Sequence, residues 1–322
     1  MNPRLEFFSA AEVMAGLPMV DCINLMEEAF KDLAEAQIQM PLRSIMMFGG
    51  RKIFGQMPSW LERQRVIGTK VITMVPENRD RGMASHQGLI LLFSADDGTP
   101  WAVVDAESVT AIRTAAVSAV ATRWLARHDA SCLAILGTGQ QARTHLEAML
   151  AVRPFTRILV YGLHRERALA YQQEMMEQLR CPLEVADSVE EACAEADVIC
   201  TVTSSPTPIL ASCDVKDGCH INAVGACRAD ERELDSALVA RARLYVDRHE
   251  SAQSEAGDYL IPLKEGAITS DHMVGELADL VSGQVAGREN ASEVTVFKSL
   301  GLALEDVAAA YYLYQRGRAQ RG

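Results

Sequence analysis

The stretch SCLAILGTGQQARTHLEAML (131–150) decides the fold class. A short apolar run of strand length passes directly into Gly137-Thr138-Gly139-Gln140-Gln141-Ala142, a G-x-G-x-x-A sequence that opens a helix. In this arrangement the first glycine permits a tight turn and the second lets a pyrophosphate approach the backbone. The small Ala142 lets the helix pack closely on the strand. Such a loop is weak by itself and gains meaning from a strand before it and a helix after it, both present here. A ligand-free glycine turn is the competing reading.

Beyond this stretch, RILVYG (157–162), a helix from about Arg165, PLEVA, a short helix over VEEACAEA, DVICTVTS (197–204), HINAVGA (220–226) and RLYVDR (243–248) alternate strand with helix. Alternation of this kind means a parallel sheet with right-handed crossovers. The expected fold is therefore α/β, a Rossmann-type doubly wound dinucleotide-binding domain over 120–295. Upstream, helices are expected after Ser9 and over VDCINLMEEAFKDLAEAQ. Strands are expected at RSIMMF (43–48), VIGTKVITMV (66–75), GLILLFSA (88–95) and PWAVVDA (100–106), the last two joined by a hairpin at Asp97-Gly98. A long Ala-rich helix, ESVTAIRTAAVSAVATRWLAR (107–127), leads out of this region. TVFKSLGLALEDVAAAYYLYQ (295–315) reads as one amphipathic helix with Gly301 near its start. Its return to the first domain makes that second α/β domain discontinuous, at 1–119 and 296–322.

Among 322 residues, 49% are apolar, and 31 basic against 43 acidic side chains give a net charge of −12. That sign repels a phosphate backbone, and the only basic concentration is a short tail at Arg316, Arg318 and Arg321, so nucleic acid is not an expected partner. The eight cysteines include no C-x-x-C pair, which points to buried thiols in a reducing compartment and to no metal site. Acidic residues interrupt the amino-terminal segment where a signal peptide needs an apolar core, and no window reaches the ~18 apolar residues of a membrane span. A cytoplasmic protein with no membrane partner is expected.

The tip of the second strand distinguishes the nicotinamide cofactors, because an acidic side chain there binds the ribose hydroxyls of NAD. Here the sequence is Tyr161-Gly162-Leu163-His164-Arg165-Glu166-Arg167. No carboxylate stands at the tip, and His164, Arg165 and Arg167 can pair with a 2′-phosphate. NADP is therefore favoured, with Glu166 keeping NAD open. Solvated charges on a first helical turn are the plainer alternative.

The run Ser85-His86-Gln87-Gly88-Leu89-Ile90-Leu91-Leu92-Phe93, the helix Thr110-Ala111-Ile112-Arg113-Thr114-Ala115-Ala116, the loop GTGQQAR and TVFKSLGLALED together resemble the ornithine cyclodeaminase/mu-crystallin family over nearly the whole chain. The resemblance implies a first domain that supplies a dimer interface and much of the substrate pocket, so a homodimer is expected. It also implies a carboxylate clamp, whose positions match Arg43, Lys70 and Arg113. Each of these cations lies in a mostly apolar stretch, where an unpaired charge would be expensive. The alternative is internal pairing with protein carboxylates such as Asp105 or Glu107. Lys70 and Arg113 are the expected catalytic pair, with His86 orienting the pocket. Thr114 is expected at cofactor phosphate or ribose, where a helix start supplies donors. By the crevice rule for open sheets and by resemblance, Thr203, Ser204, Val224, Gly225 and Ser299 line the nicotinamide side, and Lys298-Ser299-Leu300 closes over it.

One departure bears on the chemistry. Ornithine cyclodeaminases carry an acid/base Asp in a G-A-D-x-P-G-K-x-E-L segment, and aligning Glu233-Leu234 with its end puts Cys227 at the Asp position. The segment resembles the mu-crystallin type, which reduces cyclic ketimines with NADPH. Ring closure with loss of ammonia is hard to complete without a carboxylate to shuttle protons, although Asp230 could be repositioned to serve. The expected activity is hydride transfer between nicotinamide and the α-carbon of a small α-imino or α-amino acid, a ketimine carboxylate of the pyrroline or piperideine type. Ornithine cyclodeaminase, an alanine or arginine dehydrogenase, and a non-catalytic ligand-binding protein are the rivals.

Overall fold

The computed structural model describes residues 5–50, 52–84, 86–177 and 179–319, with only the backbone described at 79, 80 and 86. Ser85 and Arg321 lie outside the described residues, as does the His86 side chain. The chain divides into two compact units, Met1–Arg113 with Gly301–Gly322, and Thr114–Leu300.

The first unit opens with β1 (Glu6–Phe8), α1 (Ala10–Gly16) and α2 (Met19–Ala34). Ser9 starts α1 through a capping box in which its hydroxyl accepts from the Glu12 amide and the Glu12 carboxylate accepts from the Ser9 amide at 2.8 Å. The α2 face at Cys22, Ile23, Met26 and Phe30 is buried, as its helical spacing requires. Strands β2 (Ile38–Gln39), β3 (Ser44–Phe48), β4 (Lys52–Leu61), β5 (Val66–Met74), β6 (His86–Ser94) and β7 (Pro100–Asp105) follow. They form a sheet ordered β1-β7-β6-β5-β4-β2, with β3 on β4. Only β1 pairs in parallel; the other pairs are antiparallel, and β6 and β7 meet around Asp97-Gly98 as the hairpin expected there. Strands β1 and β4 have no counterpart in the sequence reading, since Gly55 and Pro58 interrupt β4 and obscure its alternation. Helix α3 (Ala106–Leu125) carries the chain out of the sheet.

The second unit contains β8 (Cys132–Leu136), α4 (Gln140–Val152), β9 (Arg157–Tyr161), α5 (Arg165–Met176), β10 (Leu183–Val185), α6 (Val189–Cys193), β11 (Val198–Thr201) and β12 (His220–Ala223). It continues through α7 (Ser236–Arg241), β13 (Arg243–Val246), α8 (His249–Glu255), α9 (Gly257–Glu265), β14 (Met273–Glu276), α10 (Leu277–Val281) and β15 (Thr295–Lys298). All eight strands are parallel, in the order β10-β9-β8-β11-β12-β15-β13-β14. Every residue of β8, β11, β12 and β15 is buried, the pattern of strands covered on both faces. The order reverses between β8 and β11, which is where an open sheet forms its ligand crevice. The α/β expectation, a doubly wound parallel sheet beside a second α/β unit, is borne out.

One element corrects the sequence reading. The stretch 295–315 is not a single helix: Thr295–Lys298 is strand β15, and helix α11 (Ala303–Ala319) begins only after a turn at Gly301. The run Thr-Val-Phe favours an extended chain, and Gly301 at φ +78° lies in the left-handed region that breaks a helix. Within the first unit α11 packs against β4, β5, β6 and α2.

Candidate active site

Three cations and two carboxylates converge in the first unit. Lys70 stands mid-strand in β5, opposite Met57 on β4 and Ile90 on β6, and is only 3% exposed. Its ammonium lies 2.7 Å from Asp306 Oδ2. Arg113, 4% exposed, donates from Nε to Asp306 Oδ1 at 3.0 Å and from Nη1 to Glu305. Arg43 precedes β3, is half-buried, and donates to the Gly301 carbonyl at 2.9 Å. Gly301 is the meeting point, because a Cβ there would stand 2.5 Å from Arg113 Nη1. Burial of a salt bridge costs both ions their hydration, and Lys70 and Arg113 offset it by each standing against a carboxylate.

The expected cations are therefore brought together, and the protein carboxylates that meet two of them are Glu305 and Asp306, not Asp105 or Glu107. Asp105 instead accepts from the Ser108 amide at 2.8 Å, and Glu107 is exposed. Burial pulls the Lys70 ammonium down from 10.5 to about 8, Arg113 acts in the same direction, and Asp306 opposes both. Sequence reasoning missed the two carboxylates; the available signal was an adjacent acidic pair inside the apolar run LALEDVAAA.

The glycine loop has the form of an anion cradle. Gly137, at φ +127°, turns the chain where a Cβ would collide with the Val202 carbonyl at 2.8 Å, so the loops after β8 and β11 abut. Gly139 is the N-cap of α4 with no side-chain cap, and a Cβ there would meet nothing within 4 Å. Thr138, Gln140, Gln141 and Ala142 complete the turn, and Arg143 fixes it by donating to the Thr138 and Gly139 carbonyls at 2.9 and 3.1 Å. With those carbonyls held, the first-turn amides and the positive end of the helix suit a pyrophosphate. His145 braces the same helix, with Nε2 2.9 Å from the Ser118 hydroxyl and Nδ1 2.8 Å from the Gln141 carbonyl. Arg143 and His145 were not singled out from the sequence.

At the tip of β9, His164 is the N-cap of α5 and exposed, 4.0 Å from Glu166. Arg165 is paired with Asp187, and Arg167 is exposed. Thr114 is placed differently from its expectation, for it sits in the middle of α3 rather than at a helix start, so only its own hydroxyl is at hand.

The carboxyl ends of β11 and β12 are tied together by a buried carboxylate that sequence reasoning used only as an alignment anchor. Glu233 accepts from the Thr201 and Thr203 hydroxyls, each at 2.7 Å, from the Thr203 amide at 2.8 Å and from the Gly225 amide at 2.7 Å. Burial raises its carboxyl above the usual range while these donors hold it down. The neighbouring Asp258 accepts from the Glu233 and Leu234 amides and lies 3.0 Å from Lys298, whose ammonium also donates to the Ala226 carbonyl at 2.5 Å. Val224 is buried beside Gly225, and Ser204 is exposed just beyond Thr203. Ser299 is 1% exposed, and its hydroxyl has no hydrogen-bond partner among the described residues. An orphaned buried hydroxyl at the ends of the strands and an open glycine N-cap both fit a bound dinucleotide. Cys227 is exposed and donates weakly to the Val224 carbonyl at 3.5 Å, while Asp230 accepts from Arg228 at 3.2 Å.

A parallel sheet reversing beside a glycine-rich turn, together with a second unit that carries a cluster of three cations, defines a two-unit dinucleotide-binding oxidoreductase. More narrowly, the chain belongs to the ornithine cyclodeaminase/mu-crystallin family, which it matches over residues 5–321. It is 38% identical over 316 residues to a Δ1-pyrroline-2-carboxylate reductase of Bacillus cereus, covering 98% of this chain and 97% of that one. It is 39% identical to the ketimine reductase mu-crystallin of Rattus norvegicus, covering 98% of each. Its fold superimposes with a TM-score of 0.96 on Thermococcus litoralis Δ1-pyrroline-2-carboxylate reductase in complex with NADH and L-proline, at 36% identity and 98% coverage of both chains.

Proposed function

We propose that this chain is a ketimine reductase that reduces a five- or six-membered cyclic imine bearing a carboxylate on the imine carbon, of the pyrroline- or piperideine-2-carboxylate type. The observation that carries the reading is the convergence of Arg43, Lys70 and Arg113 on the turn at Gly301 and the adjoining Glu305 and Asp306 in the first unit. A cluster of cations in mostly apolar surroundings suits a substrate carboxylate. Arg43 and Arg113 hold that carboxylate and fix the imine carbon, and restraint of this kind supplies a large share of a rate enhancement. The reduced nicotinamide, when bound, supplies the hydride. Lys70 supplies the proton that completes the amine, a role suited to an ammonium that burial brings down to about 8.

The dinucleotide would be held by Gly137, Thr138, Gly139, Gln140, Gln141 and Ala142 at its pyrophosphate, and by Thr203, Ser204, Val224, Gly225 and Ser299 at its nicotinamide end. Thr114 contributes a hydroxyl. NADP is the preferred form, with His164, Arg165 and Arg167 receiving the 2′-phosphate; NAD is the alternative. The unit roles follow: Thr114–Leu300 binds the dinucleotide, while Met1–Arg113 with Gly301–Gly322 binds substrate and dimerises. A homodimer is supported by apolar side chains left exposed on the first unit, at Ile45, Met46, Met47, Phe48, Ile67 and Leu89. Eight free thiols support a reducing, cytoplasmic location. The proton-shuttling carboxylate of a cyclodeaminase has no counterpart at Cys227, and Asp230 is engaged by Arg228, which supports reductase over lyase.

Substrate pairs test this reading. Δ1-pyrroline-2-carboxylate is expected to turn over and Δ1-pyrroline, which lacks the carboxylate, is not. Arg113→Ala is expected to remove the distinction along with the activity. Equal rates on the two imines would overturn the clamp.

A further inference from the structure

One carboxylate of the cluster touches both buried cations. Asp306 Oδ2 lies 2.7 Å from Lys70 Nζ, and its Oδ1 accepts from Arg113 Nε at 3.0 Å. Asp306 is itself fully buried in the first turn of α11, on the helix that packs across β4, β5 and β6. Its two oxygens thus set the spacing between an ammonium presented by β5 and a guanidinium presented by α3.

We propose that Asp306 is a positioning residue for the reaction: it fixes the separation of Lys70 and Arg113 and keeps Lys70 charged as the proton donor to the ketimine nitrogen. This rests on the ketimine reductase reading. In the step it serves, the C=N π bond breaks, the imine carbon gains the hydride of the reduced nicotinamide, and the nitrogen gains a proton from Lys70 Nζ. Lys70 is left as a neutral amine, to be reprotonated from solvent.

The groups that set the charge of Lys70 are few. From α11 come Asp306 and Glu305, which favour the ammonium; from α3 comes Arg113, which opposes it, with the Thr110 hydroxyl at 3.5 Å; β4 and β6 present Met57 and Ile90 in register. Behind Arg113, α2 places Cys22, whose thiol burial pushes far up and keeps neutral. Asp306 is the strongest influence holding Lys70 charged against burial. Without it, burial and Arg113 act together, and the proton leaves at lower pH.

Two readouts test this, one of them independent of turnover. Lysine-selective 13C NMR on the full-length protein follows each of the six lysines through a pH titration, with Lys70 assigned by its disappearance in Lys70→Arg. Wild type is expected to show Lys70 titrating near pH 8 and Asp306→Asn to show it about one unit lower or more, a ten-fold loss of ammonium at a fixed pH. The basic limb of kcat/KM for Δ1-pyrroline-2-carboxylate is expected to move down by the same amount. Asp306→Glu, which keeps the charge but alters the spacing, is expected to leave the limb in place and raise KM. An unmoved Lys70 resonance in Asp306→Asn overturns the proposal while leaving the reductase reading intact. If wild type turns over no ketimine, the reductase reading falls and the NMR arm still decides whether Asp306 controls Lys70. Should Asp306→Asn fail to fold, Asp306→Glu with an unchanged KM overturns the proposal.

Discussion

In a Gly301→Ala variant the new methyl group would stand 2.5 Å from Arg113 Nη1, 2.8 Å from Nη2 and 3.1 Å from Cζ. An exposed arginine would swing aside. This one is buried and held by Glu305 and Asp306, so it has nowhere to go without loosening an ion pair. The backbone resists as well, since a residue with a Cβ pays about 1–2 kcal/mol to adopt the left-handed φ of +78° found here. Shifting it would also move the carbonyl that receives Arg43. Partial loss of a buried pair, worth about 3–5 kcal/mol when broken outright, adds to the strain, and we expect about 2–4 kcal/mol of destabilisation in total. The catalytic effect should be larger, because a misplacement of about 1 Å in a positioning group can cost on the order of 100-fold in rate. The assay is steady-state ketimine reduction followed at the reduced-nicotinamide absorbance, with thermal unfolding and cofactor titration on the same preparation. The expected outcome is kcat/KM down by on the order of 100-fold, a melting temperature lower by several degrees, and cofactor affinity unchanged, since the glycine loop belongs to the other unit. A variant with wild-type kcat/KM and melting temperature would refute the idea that Gly301 is where the arginines are set.

Three further outcomes are expected. Glu233→Ala strips the acceptor from four donors at the ends of β11 and β12, and is expected to cost about 3–5 kcal/mol of stability and to weaken dinucleotide binding in a fluorescence titration; unchanged affinity would remove the nicotinamide end from that crest. Burial depresses His145 from 6.5 to about 4 and His220 to about 3, so the unfolded chain binds these protons first. Their contribution is complete above pH 6.5 and lost as pH falls toward the folded values, about 2 kcal/mol each by pH 5, which urea midpoints at pH 7 and 5 will show and which His145→Gln should reduce. Finally, Arg165→Ala is expected to weaken NADPH about ten-fold with NADH unaffected, and Asp187→Asn, which frees Arg165, to tighten NADPH; equal effects on both cofactors would argue for NAD.

The parallel sheet was legible because β8 and the turn at 137–142 state it locally: five buried apolar residues, two glycines and a small Ala142 leave few other structures for the chain. Strand β15 was not, because Thr295-Val-Phe-Lys298 is only four residues long and lies just ahead of LALEDVAAA, and a run that short fits strand or helix equally. The cations of the cluster stood out as charges in apolar surroundings, but their partners lie 192 and 193 positions away from Arg113. Glu305 and Asp306 look in sequence like ordinary charged residues on the polar face of an amphipathic helix. Only the packing of α11 shows that their turn is fully buried. Glu233 was hidden for a related reason: its partners Thr201, Thr203 and Gly225 come from separate strand ends, and no local pattern links them.

The most direct measurement is made on the purified protein with Δ1-pyrroline-2-carboxylate and NADPH, watching the reduced-nicotinamide absorbance, with ornithine plus NAD and alanine or arginine plus NADP run alongside. Loss of absorbance with the imine, and formation of one proline per cofactor oxidised, is the expected result. Ammonia released from ornithine without net reduction of NAD, or oxidation of alanine or arginine with the imine inert, would contradict it.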